Sequence, residues 1–129
     1  MENEKWKMKN RKWKMDNLVE KKSFHFAVRI VKLCKMISED GKEYTLSKQL
    51  LRSSTSIGAN VSEAEMGQTK ADFYAKMFIA LKEANETYYW LRLLHETEYL
   101  TDKEFDSMAK DATELISILV SICKTRIEK

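Results

Sequence analysis

The sequence predicts an all-α fold, an antiparallel up-down-up-down four-helix bundle preceded by a basic N-terminal tail. Three observations predict it. The 129 residues contain no proline and only three glycines, so nothing in the composition breaks long helices or builds a turn-rich β-sandwich. Four stretches carry apolar residues at three- and four-residue intervals, the period of a helix face. Between them lie hydroxyl, Asp/Glu and Gly residues of the kind that start and stop helices.

The length suits one domain, with a tail at 1–16 and a bundle at 17–129 whose helices span about 18–39, 46–65, 70–97 and 102–126. Hydrophobic residues make up 43% of the chain, enough for one core despite 33% charge. No run reaches the ~20 apolar residues of a membrane span, and the N-terminus has no apolar secretory core. Cys34 and Cys123 both fall in apolar helical stretches, which reads as buried, reduced thiols of a cytoplasmic protein.

The first helix is expected to start at Asn17, with Glu20 three residues on as its capping partner. Phe24, Ala27, Val28, Val31, Cys34 and Ile37 are its predicted core face, and Gly41 its left-handed stop. The second starts at Thr45 with a stripe of Leu46, Leu50, Ile57 and Val61. Its middle, Ser53 to Ala59, is almost entirely small or hydroxylic. Such residues are poor helix formers but admit a close neighbour, so tight packing around Gly58 is expected. The third starts at Thr69 with Asp72 in the capping position, and its stripe runs from Phe73 through Met77 and Ala84 to Leu94. The fourth starts at the Thr101/Glu104 box. Phe105, Met108, Ala112, Leu115, Leu119 and Ile122 form its seam, with a second row at Ala109, Ile116, Val120, Cys123 and Ile127.

That second row exceeds the needs of a solitary bundle. So do Tyr88, Tyr89 and Trp90, because three consecutive helical rings fan over roughly 200° and cannot share one core. Tyr88, Tyr89, Trp90, Ile116, Val120 and Ile127 are therefore candidate contacts of a homo-oligomer.

The formal charge of +3 is carried wholly by residues 1–16, which hold six cations against three acids. The rest has equal numbers of each. Lys5-Trp6-Lys7-Met8 recurs as Lys12-Trp13-Lys14-Met15. Cations alternating with indoles suit nucleic acid, since ammonium groups meet phosphates while rings stack on bases. Lys5, Trp6, Lys7, Lys9, Arg11, Lys12, Trp13 and Lys14 are thus candidate RNA or DNA contacts, with Arg52 on the bundle. The same pattern suits an anionic membrane surface, a protein partner, or a solvated terminus.

No catalytic, cofactor or metal constellation emerges. A di-iron bundle needs Glu three residues before His, but Lys22 precedes His25 and Arg92 precedes His95 at that spacing. Arg52 before Ser53 to Ser56 resembles a phosphate cradle only in composition, because it lies mid-helix. Glu63, Glu65, Glu83 and Glu86 are expected in ordinary surface pairs with Lys76, Lys82 and Arg92. Asn60, beside Val61, needs a partner, which Arg52 or Glu86 could supply. The chain is not expected to be an enzyme.

Gln49-Leu50-Leu51-Arg52-Ser53-Ser54-Thr55-Ser56-Ile57-Gly58-Ala59-Asn60-Val61-Ser62-Glu63-Ala64 resembles the hallmark of the four-helix bundle proteins encoded in intervening sequences of bacterial large-subunit ribosomal RNA genes, which reads Q-L-R-R-A-A-x-S-I-P-A-N-I-A-E-G. Phe78-Ile79-Ala80-Leu81-Lys82-Glu83-Ala84-Asn85-Glu86-Thr87 is similar to the family's third helix, and the likeness covers about residues 17–125. It matches at Arg52, Ser56, Ile57, Ala59, Asn60, Glu63, Ala80, Leu81 and Glu86, and departs at Gly58, where proline is usual, and Ala64, where glycine is usual. A straighter second helix is expected without that proline. The resemblance implies a ring-shaped homopentamer, association with RNA and no established enzymatic activity. In a related branch, the accessory variability protein of diversity-generating retroelements, it implies binding to a reverse transcriptase. The Trp/Lys tail lies outside the family pattern.

Overall fold

The computed structural model describes residues 12–127, with side chains from 18 to 125. Four helices make up the described chain: α1 (Lys12–Glu39), α2 (Thr45–Glu65), α3 (Lys70–Glu96) and α4 (Asp102–Ile127). Each packs on its two neighbours around the bundle, with α2 against α3 the most extensive face and α1 against α4 the sparsest. The joints are short, which forces consecutive helices to run antiparallel.

The helix starts follow local chemistry. Thr101 and Glu104 exchange hydrogen bonds, the Glu104 carboxylate accepting from Thr101 N (2.8 Å) and the Thr101 hydroxyl from Glu104 N (3.1 Å). Thr69 accepts from Asp72 N at 3.1 Å. At α2 the cap comes from one turn upstream, where the Glu43 carboxylate accepts from Leu46 N (2.7 Å) and Ser47 N (2.9 Å). Negative charge there also suits the positive end of the helix dipole.

Three expectations are corrected. α1 begins at Lys12, so Asn17 lies inside it and starts nothing; Lys12, Trp13 and Lys14 belong to its first turn. Gly41 has no positive φ; Lys42 does (φ 55°). Glycine is needed at 41 for room, since a Cβ would sit 2.8 Å from Ile37 O. Finally, α1 turns a different stripe inward. Val19, Phe26, Ile30 and Leu33 join Cys34 and Ile37 in the core, while Phe24, Val28 and Val31 face solvent. Two apolar rows run along this helix, and periodicity cannot choose between them.

The core is continuous. Leu50, Ile57 and Val61 of α2 meet Met77, Ala80, Leu91 and Leu94 of α3 and Leu115, Leu119 and Ile122 of α4. The hydroxyl run of α2 lets α3 approach. Ser53 and Ser54 are completely buried, each returning its hydroxyl to a carbonyl three residues back. Thr87 of α3 donates to Glu83 O (2.8 Å) and lies 3.0 Å from Ser53 Oγ. Gly58 is less crowded than expected: a Cβ there would meet Ser23 at 3.6 Å, ordinary van der Waals contact.

Candidate functional site

Two surfaces stand out on the described bundle. The first is a charged cluster on the α2–α3 face. Arg52 Nη1 donates to Glu83 Oε2 (3.0 Å) and its Nη2 to Glu86 Oε2. Glu86 also accepts from the Trp90 indole N–H (3.0 Å). Glu83 is only 8% exposed, so a carboxylate is buried at a helix interface and answered by a cation from the next helix. The indole N–H first, and then Arg52, hold the Glu86 carboxyl below its ordinary range, against the opposing effect of burial. The Arg52 guanidinium is pushed up, chiefly by its hydrogen bond to Glu86. The expectation of ordinary surface pairs for Glu83 and Glu86 is therefore corrected. Their shared partner is Arg52, whose half-exposed guanidinium meets both carboxylates.

Lys76 and Glu63 do pair at the surface (3.0 Å). Asn60 is satisfied within its own helix, its amide donating to Ser56 O (2.8 Å) and lying 3.2 Å from Ser56 Oγ, not by Arg52 or Glu86. Ile57 is core, and Ala59 faces solvent. The Cys34 thiol donates to Ser47 O (3.4 Å), and burial pushes its pKa up to about 11. It is consequently a poor nucleophile at neutral pH. His95 stacks on Phe105 (centroids 4.4 Å, 7° between planes) and lies 2.7 Å from Asp102 Oδ1. Among the described residues no three His, Cys, Asp or Glu side chains gather as metal ligands, and no helix is long and apolar enough to cross a membrane.

The second surface is apolar. Phe24 (71% exposed), Val28 and Val31 (48%) of α1 line up beside Leu51 of α2 and Tyr44 (62%), just before it. Between α1 and α2 this strip borders an open groove of about 980 Å3 whose floor is small: Ala27, Thr55, Gly58, Ala59 and Ser62. A smaller groove beyond it is lined by Val31, Tyr44 and Leu51, with Lys35 and Lys48 at its edge. The signal lies in the sequence as the apolar row through Phe24, Val28 and Val31, which periodicity alone reads as core.

The other predicted contacts divide. Tyr89 is 53% exposed and stands edge-on to Trp90 (5.1 Å), while Tyr88 leans against Phe105 (6.4 Å). Tyr88, Trp90 and Ile116 pack partly against the core, and Val120 is exposed. The backbone of Ile127 closes α4, but its side chain lies outside the described residues. So do Lys5, Trp6, Lys7, Lys9 and Arg11 entirely, and the side chains of Lys12, Trp13 and Lys14.

The described chain is an all-α four-helix bundle whose second helix packs through hydroxyls and holds its neighbour by an arginine between two glutamates. Residues 15–121 match the family described as 23S rRNA-intervening sequence protein, and the chain belongs to it. A solved structure is similar over 85% of this chain and 98% of its own, at 55% identity and a TM-score of 0.83. It is a protein of unknown function from the S23 ribosomal protein family of Bacteroides thetaiotaomicron VPI-5482. No curated protein matches the chain.

Proposed function

We propose that the chain is a non-catalytic, self-associating helical bundle that binds RNA through its basic N-terminal segment. The observation that carries the RNA reading is the charge asymmetry. The net +3 is confined to residues 1–16, where cations alternate with Trp6 and Trp13, and the remainder is balanced. Family membership supports RNA over DNA as the partner. Each segment can neutralise at most six phosphates, a weak contact by itself, and several segments on one assembly raise the effective concentration of every other. The assembly the family resemblance implies is a pentamer, and the buried thiols Cys34 and Cys123 suit a cytoplasmic setting.

The test removes residues 1–11, which leaves α1 intact from Lys12. Structured RNA is titrated against both proteins by fluorescence anisotropy at several salt concentrations. Four cations are lost, so the log–log salt slope should fall by about 3 to 4 and affinity by tenfold or more. An unchanged slope and affinity would remove the segment from the account.

A second reading is supported by a different observation. The exposed strip from Phe24 to Val31 suits a protein surface better than a nucleic acid, and a role as scaffold or accessory subunit, for example of a reverse transcriptase, needs only that contact. Co-purification of a defined protein that survives nuclease treatment, with no affinity for RNA, would favour it.

A further inference from the structure

The charge balance of residues 17–129 is a sum of unlike parts. Residues 17–39 hold five cations against two acids, and the chain beyond them makes up the difference. Counted by helix, α1 has seven cations and three acids, α2 two and two, α3 four and four, and α4 four and five. Of the four helices α1 alone is basic. The surplus does nothing for the helix itself. Lys12 and Lys14 stand in its first turn, where the positive end of the helix dipole disfavours them, and the last turn has no cation.

These cations divide by face. Lys22 and Arg29 turn toward α4, where Lys22 donates to Glu114 (2.7 Å) and Arg29 to Asp111. Lys21, Lys32 and Lys35 are exposed, and no carboxylate among the described residues pairs with them. Their spacing puts all three within roughly 60° of one another on the outer side of the helix. Heptad steps lead back from Lys35 to Lys21 and on to Lys14 and Lys7, so the row begins in the Lys/Trp segment. From Lys14 to Lys35 the helix rises roughly 32 Å. Glu39 ends the row, and Glu20 is turned about 100° from Lys21. Lys32 and Lys35, three residues apart, repel each other with no acid to offset them. Lys21 and Lys35 also stand at the edge of the α1–α2 grooves, and long lysine stems keep the ammonium group in water beside an apolar surface.

We infer that the outer row of α1, Lys21, Lys32 and Lys35, is a second RNA contact, which takes the phosphate backbone of a base-paired stretch next to the site held by the N-terminal segment. This rests on the proposed RNA binding and carries it from the segment onto the bundle. The indoles of the segment suit unpaired bases. The row instead offers ammonium groups at fixed positions on a rigid helix. That suits an A-form duplex, whose deep major groove side chains cannot read and whose phosphates lie outside. Phosphate contacts position the RNA and add affinity without a sequence preference.

The test is the triple variant Lys21→Gln, Lys32→Gln and Lys35→Gln in the full chain, all at exposed positions. Circular dichroism confirms the helices. An RNA hairpin with a single-stranded tail is titrated by fluorescence anisotropy at several salt concentrations. The log–log salt slope should fall by about 2 to 3 and affinity by tenfold or more, equally for hairpins of unrelated sequence. Lys32→Gln alone should lower the slope by about 1, which keeps the test open if the triple variant melts. A control with Lys82→Gln, Arg92→Gln and Lys110→Gln removes the same charge from exposed positions of α3 and α4 and should leave the slope nearly unchanged. An unchanged slope in the α1 variants, or an equal fall in the control, would overturn the inference while leaving the contact of the N-terminal segment standing. A wild type without affinity for the hairpin would remove the proposed RNA binding itself, and the row with it.

Discussion

Arg52 shows how one side chain can fix the register of two helices. It reaches across from α2 and holds Glu83 and Glu86, one turn apart on α3. Glu83 is buried, so Arg52→Ala leaves a desolvated carboxylate without its cation. The cost is about 1–2 kcal/mol after allowance for the half-exposed guanidinium, readable as a lower urea midpoint at pH 7. The Glu86 contribution depends on pH in a fixed direction. Its folded pKa lies below the ordinary 4.5, so the stabilisation is complete above 4.5 and is lost as pH falls through the depressed folded value. Glu86→Gln should therefore destabilise at pH 7 and become nearly neutral at strongly acid pH. Equal destabilisation at both ends would contradict this linkage. None of this was legible from spacing. Lys82 and Arg92 stand closer to the glutamates in sequence than Arg52 does, and only the α2–α3 packing brings Arg52 near. Asn60 failed in the opposite sense, since a distant partner was expected and Ser56, one turn back, supplies it.

At the scale of the elements, capping chemistry was the most legible signal. The Thr101/Glu104 box and the Thr69 cap rest on groups three residues apart, so no tertiary knowledge is needed to find them. The end of α3 carries a non-glycine in the left-handed region: Glu98 has φ 68°, with Tyr99 N donating to Leu94 O (2.9 Å). Glu98→Gly should stabilise by about 1 kcal/mol, raising the thermal midpoint by roughly 4 °C, because glycine takes this conformation without a Cβ clash. Gly58 invites the reverse exchange. It lies within α2 and a Cβ fits there, so Gly58→Ala should also raise the midpoint by a few degrees. A fall would mean that Ser23 cannot give. The phase of α1 was the least legible feature. Its two apolar rows have the same period, and only the completed bundle selects the one through Phe26 and Ile30.

On the scale of the whole molecule, the unselected row leaves Phe24, Val28 and Val31 in solvent. The single chain closes its sparsest face with polar contacts, Lys22 to Glu114 (2.7 Å) and Arg29 to both Asp111 and Ser107. It leaves an apolar strip exposed on the other side of α1, toward α2. The excess of apolar surface was visible in the sequence, but it was placed on α4 and at Tyr88 to Trp90. Those positions turned out half-satisfied inside the bundle, with Tyr89 and Val120 left exposed. In the proposed assembly, gathered copies would hide that strip and hold the basic segments near one another. Multi-angle light scattering of the intact protein across a concentration series tests this most directly. The account predicts a discrete mass several times 15.2 kDa at micromolar concentration, and a species of 15.2 kDa throughout the series would contradict it.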